Sequence, residues 1–174
     1  MEYSNFTFME SLLVDASKYA KSAENFCRNQ DFKHCGADLR LFLEAIMKYL
    51  QQVDDISYNS GKNNEAIENL HRKGIINDDV RKWFHFVRQF ANSSVHSSHE
   101  SPSQNEALVA LEYAFKIGRF LHNRERVHKF FGDFDAKHAV RLLLCFNVTS
   151  GCSCKAFHVF KGCGIVYMDC QLIV

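Results

Sequence analysis

Arg88, Asn92 and His96 stand four residues apart within Arg88-Gln89-Phe90-Ala91-Asn92-Ser93-Ser94-Val95-His96. On a helix that spacing stacks a guanidinium, a carboxamide and an imidazole along one side. Two chemistries suit such a column. The groups can bond to neighbouring helices as a structural latch, or they can face an anionic ligand such as a phosphate. Leaving one of them buried and unpaired costs ~1–3 kcal/mol. Internal satisfaction is the commoner outcome for buried polar groups, which favours the latch.

The element that must carry the column is a helix. Val80, Trp83, Phe84, Val87, Phe90 and Ala91 recur at the i, i+3, i+4 spacing of a core-facing stripe. Asn77 is placed to cap it, and Asp78 and Asp79 suit its first turn, where the helix dipole favours negative charge. This helix is predicted to end near Ser97, before the turn Ser97-Ser98-His99-Glu100-Ser101-Pro102-Ser103. Upstream, Leu12, Ala16, Tyr19, Ala20, Ala23 and Cys27 predict a helix over about residues 7–28, broken by Asn29-Gln30-Asp31. Leu39, Phe42, Leu43, Ile46, Leu50 and Val53 predict a second. After a polar stretch over residues 54–64, a short helix over residues 65–73 turns Ile67 and Leu70 inward and stops at Gly74. A last helix is predicted over residues 104–127 through Ala107, Leu108, Leu111, Ala114, Phe115, Gly118 and Leu121. The fold class is therefore all-α, a helical bundle of about five helices.

Composition divides the chain in two. Five of its seven cysteines fall between Cys145 and Cys170, and no glutamate follows Glu125. Residues 135–174 accordingly read as a divergent Cys-rich tail, irregular or a β-hairpin layer built from residues 140–148, 156–160 and 164–168. A tail of that kind is expected to be dispensable, so that removing residues 138–174 leaves thermal unfolding of the bundle almost unchanged. With 21 Lys+Arg against 20 Asp+Glu, no global field favours nucleic acid or an anionic membrane. No apolar run approaches the ~18 residues of a membrane span, and Glu2, Glu10 and Asp15 make the N-terminus unlike a signal peptide. The expectation is a cytoplasmic protein with its cysteines as thiols.

Other chemistries lack their signatures. Cys145, Cys152, Cys154, Cys163 and Cys170, with His158, offer only one C-x-C pair where structural zinc usually shows paired C-x2-C knuckles, so no metal and no cofactor are expected. His96 and His99 beside Glu100 do not form H-E-x-x-H. Gly61-Lys62 lacks the rest of a phosphate loop, and no G-x-S-x-G elbow is present. Basic residues gather at Arg72, Lys73, Arg81 and Lys82 and again at Lys116, Arg119, Arg124, Arg126 and Lys129. Glu68, Asp78, Asp79, Glu112 and Glu125 interleave with them, which is the pattern of a solvated face, with nucleic-acid contact as the alternative.

Several segments, taken in order, carry a resemblance. Asn5-Phe6-Thr7-Phe8 precedes the first helix, and Asp38-Leu39-Arg40-Leu41-Phe42-Leu43-Glu44-Ala45-Ile46 resembles a "K-L-R-x-F-x-E" helix. Glu68-Asn69-Leu70-His71-Arg72-Lys73-Gly74-Ile75-Ile76 resembles an "L-x-x-x-G-x-L" helix end, and Trp83 to His96 resembles "L-F-H-x-L-R-x-x-G-N-x-A-V-H". Together they resemble the helical domain at the N-terminus of the restriction (R) subunits of type I restriction enzymes and related helicases, over residues 5–134. Phe131-Gly132-Asp133-Phe134 resembles the segment that ends that domain. Ala91 stands where that family commonly has glycine. Downstream of about Lys137 the likeness stops, without the nuclease and motor parts, as in a truncated or frameshifted relative or a stand-alone variant. The resemblance implies a non-catalytic interaction domain whose partners are other restriction-modification subunits.

A broader similarity is to HEPN-type helical ribonucleases, which pair a closely spaced arginine and histidine with a polar residue after the arginine. Here Gln89 follows Arg88, and seven residues separate Arg88 from His96, wider than that family's usual spacing. The similarity implies a metal-independent ribonuclease in which His96 transfers the proton, Arg88 holds the scissile phosphate and Asn92 orients one of them. Such a site is commonly completed across a homodimer.

Overall fold

Phe6 and Met9 decide how the chain begins, because both become fully buried. The structure is a computed structural model and describes residues 4–54, 62–96, 102–125 and 132–139, the side chain of His96 excepted. Where the sequence predicts one helix over residues 7–28, the chain makes a single 3-10 turn at Thr7–Met9 and then α1 at Val14–Arg28. The Phe6 ring stands edge-on to Phe42 and Phe115, with centroids 6.4 and 6.2 Å apart, and Met9 covers Gly118. Ser17 Oγ donates to the Phe6 carbonyl at 3.0 Å and ties the turn to α1. Burying two large side chains outweighs the weak local preference for a continuous helix.

The remaining elements follow the apolar stripes. They are α2 (Phe32–Asp54), α3 (Asn63–Arg72), α4 (Asp78–His96), α5 (Gln104–Glu125) and a one-turn α6 (Ala136–Ala139). Among the described residues there are thus six α-helices and no strand, one short helix more than expected. The strands expected in the tail fall outside the described residues. Packing also runs past the expected domain end at residue 134, since Ala139 of α6 is fully buried.

Helix ends are set by local chemistry. Past α3, Gly74 takes a left-handed φ of 71°. The Ile75 amide reaches the Leu70 carbonyl at 3.0 Å while Gly74 reaches His71 at 2.9 Å, a Schellman ending. Asn77 Oδ1 then accepts from the Val80 amide at 3.0 Å and caps α4. At α5, Ser103 and Glu106 cap each other's amides at 2.8 and 3.2 Å, a capping box.

The helix α2 lies at the centre, with α1 against one flank and α4 against another, and α5 closing over α4, α1 and α2. Its buried stripe is Cys35, Gly36, Leu39, Phe42, Leu43, Ile46, Met47 and Leu50. Where α2 crosses α4 the backbones come close enough that a Cβ on Gly36 would collide with the Ser94 side chain. Small residues at a crossing are what permit that approach.

Candidate functional site

The apolar stripe of α4 fixes where the polar column can lie. Val80, Phe84, Val87, Phe90, Ala91 and Ser94 are buried. The Ser94 hydroxyl turns back to the Phe90 carbonyl at 2.8 Å, which satisfies it inside the α2–α4 contact. Arg88 flanks the stripe and is half-buried, and its Nε is enclosed with no hydrogen-bond partner among the described residues. Asn92, one turn further, is exposed. His96 occupies the last turn of α4, and its side chain lies outside the described residues.

On the same side of α4, Arg81 and His85 continue the column toward the helix start, and both meet Glu68 of α3. Glu68 Oε1 accepts from Arg81 Nε at 3.1 Å and from His85 Nε2 at 2.8 Å. These two donors, Arg81 first, hold the Glu68 carboxyl below its ordinary range. Sequence reading placed Glu68 and Arg81 on a mixed-charge face but did not connect His85 to them. The spacing of Arg81, His85 and Arg88 on one helix was readable; the carboxylate they meet is on another helix and was not. A carboxylate bonded to an imidazole can fix its tautomer and orientation.

Four of the other basic residues meet acids or carbonyls. Lys82 pairs with Asp79 at 3.3 Å, and Lys116 pairs with Glu112 at 2.7 Å while sitting 5.2 Å from the Tyr113 ring centroid. Arg119 reaches the Gly132 carbonyl at 3.0 Å, and Arg124 makes a forked contact with Asp54. Arg126 and Lys129 lie outside the described residues, as do His99, Glu100 and the cysteines from Cys145 onward. Among the described residues no group of three or more His, Cys, Asp or Glu could hold a metal ion. No described helix is long and apolar enough to cross a membrane.

A separate concavity of about 360 Å³ opens between the start of α1 and the outer face of α2. Leu12, Leu13, Tyr19, Ala45 and Tyr49 line it, Asp15, Glu44 and Lys48 edge it, and no residue of α4 contributes. Val14 and Leu41, which line this site, are 67% and 38% exposed.

The sequence profile of the family described as Domain of unknown function (DUF4145) matches residues 21–126. The chain belongs to this family. The DUF4145 match spans α1 from Lys21 through the whole of α5, so it takes in the α4 column, the Glu68 contacts and the α2 side of the concavity. The 3-10 turn and α6 lie outside it. Neither the curated proteins nor the solved structures include a match to the chain.

Proposed function

We propose that this DUF4145 chain is a non-catalytic helical interaction domain, similar to the N-terminal domain of a type I restriction R subunit. The α1–α2 concavity carries the reading: it is a recess with exposed apolar side chains at its edge, set apart from the polar column of α4. A recess flanked by exposed aliphatic side chains offers a partner protein apolar surface to cover. The partners are other restriction-modification subunits. Titrating the chain against purified modification and specificity subunits tests the reading. Binding is expected, and Leu41→Glu should weaken it about tenfold, as expected for a charge placed in a contact centre. Absence of binding, or binding indifferent to Leu41→Glu, would overturn it.

One observation favours a second reading, a metal-independent HEPN-type ribonuclease. Arg88 and Asn92 lie one turn apart at the edge of the buried stripe of α4, with part of Arg88 open to solvent, where a guanidinium can meet a phosphate oxygen. In that reading His96 transfers the proton and Asn92, being exposed, contacts the RNA or orients a partner group. Cleavage of single-stranded RNA without added metal, lost in His96→Ala, would establish it.

A further inference from the structure

Glu24 is a fully buried carboxylate on α1, and the groups around it come from both ends of the described chain. Ser4 Oγ and Asn5 Nδ2 donate to its two oxygens, and the Arg28 guanidinium lies 3.5 Å away, one turn along the same helix. Asn5 and Arg28 also reach the segment that follows α5. Asn5 Nδ2 donates to the Asp135 carbonyl at 3.0 Å while Asn5 Oδ1 accepts from the Asp135 amide at 2.8 Å. Arg28 Nε donates to the His138 carbonyl at 2.6 Å, and Arg119 of α5 donates to the Gly132 carbonyl at 3.0 Å. All four of these bonds end on main-chain atoms of residues 132–139. Phe134 adds a ring contact with Phe115 at 5.8 Å, and Ala139 is buried.

We propose that residues 132–139 form a releasable strap, locked by Asn5 and Arg28 and coupled through Glu24 to the N-terminal hook at Ser4 and Asn5. The strap rests on α1 and α5 and leaves the α2–α4 contact untouched, so it can open without dissolving the centre of the bundle. Opening it strips Asn5 of two bonds. Opening the hook strips Glu24 of two donors, and a buried charge left short of partners is strongly disfavoured. Hook and strap therefore open together. The strap is held mainly by its backbone, through Asn5, Arg28 and Arg119, and Arg119 also meets the Asp133 carboxylate at 3.3 Å. Any partner that engages this segment acts on the hook through the same carboxylate.

Native-state hydrogen exchange on the full chain tests this. Asn5→Ala should speed exchange of the Asp135 and His138 amides about tenfold, the factor expected for losing hydrogen bonds of this kind. In the reverse direction, Phe134→Ala should speed the Phe6 and Thr7 amides, which bond to Ser4, by a similar factor. Amides of α2 and α4 should stay within about twofold in both variants. Lys137→Ala, on the strap surface, should change nothing. Loosening confined to the mutated end would show that hook and strap are uncoupled. Uniform acceleration of every amide would show that the strap does not open separately from the bundle. Either result overturns the proposal.

Discussion

Gln30 joins α1 to α2 in a left-handed conformation, with φ 60°. Its amide bonds to the Cys27 carbonyl at 3.0 Å and the Asp31 amide to Phe26 at 2.9 Å, the same Schellman pattern that ends α3, but without glycine. A side chain in that region costs ~1–2 kcal/mol, and Gln30 is exposed, so nothing in packing offsets it. Gln30→Gly should raise stability by ~0.5–1 kcal/mol, part of the strain being returned as entropy of the unfolded chain; denaturant unfolding checks it. Gly36 predicts the opposite. Alanine normally stabilises a helix by ~1 kcal/mol over glycine, but here its methyl group meets Ser94, and overpacking costs ~1–3 kcal/mol. Gly36→Ala should lower the melting temperature, and Ser94→Gly in the same chain should recover part of the loss, since the obstruction involves the Ser94 Cβ as well as its hydroxyl.

At the scale of elements, α3 and α4 are joined by polar contacts whose strength depends on pH. Arg81 and then His85 lower the Glu68 carboxyl. A depressed folded-state value means stability that is present above the ordinary carboxylate range and lost as pH falls through the folded value. Acid titration of thermal unfolding should therefore show a loss beginning below the ordinary value of 4.5. Glu68→Gln should flatten that part of the curve and leave the profile above it nearly parallel to wild type. The capping box at Ser103 and Glu106 lowers Glu106 in the same direction through its bonds to Ser103. The S-x-x-E pattern that forms it stands in Ser103-Gln104-Asn105-Glu106 and marks where α5 starts.

For the whole molecule, α6 alters the reading of the C-terminal part. The sequence led to the expectation that removing residues 138–174 leaves thermal unfolding almost unchanged, because composition and pattern depart there from the helical part. The structure puts the His138 carbonyl under Arg28 and buries Ala139 against α1 and α5. Ending the chain at residue 137 should consequently cost ~1–3 kcal/mol, from an orphaned Arg28 donor near the buried Glu24 and an uncovered apolar contact. Calorimetry of the truncated and full chains decides between the two expectations.

Periodicity by itself determined the helices and their inward faces. The stripes through Leu39, Phe42, Leu43 and Ile46 and through Val80, Phe84 and Val87 were legible because burial repeats with the helical turn. Asn77 and Gly74 were legible as a cap and a stop, because those interactions are made within a few residues. What only the tertiary structure decided involves partners distant in sequence. The break between the 3-10 turn and α1 depends on rings from α2 and α5 meeting Phe6. The contact of His85 with Glu68 depends on how α3 lies beside α4, and the Glu24 clasp joins residues separated by 130 positions. In the α4 column, spacing was readable but burial was not: Arg88 is half enclosed and Asn92 faces out, because helix α2 meets α4 along Phe90 and Ser94. A local pattern records which face a helix turns inward, whereas the partner on that face is set by how the helices cross.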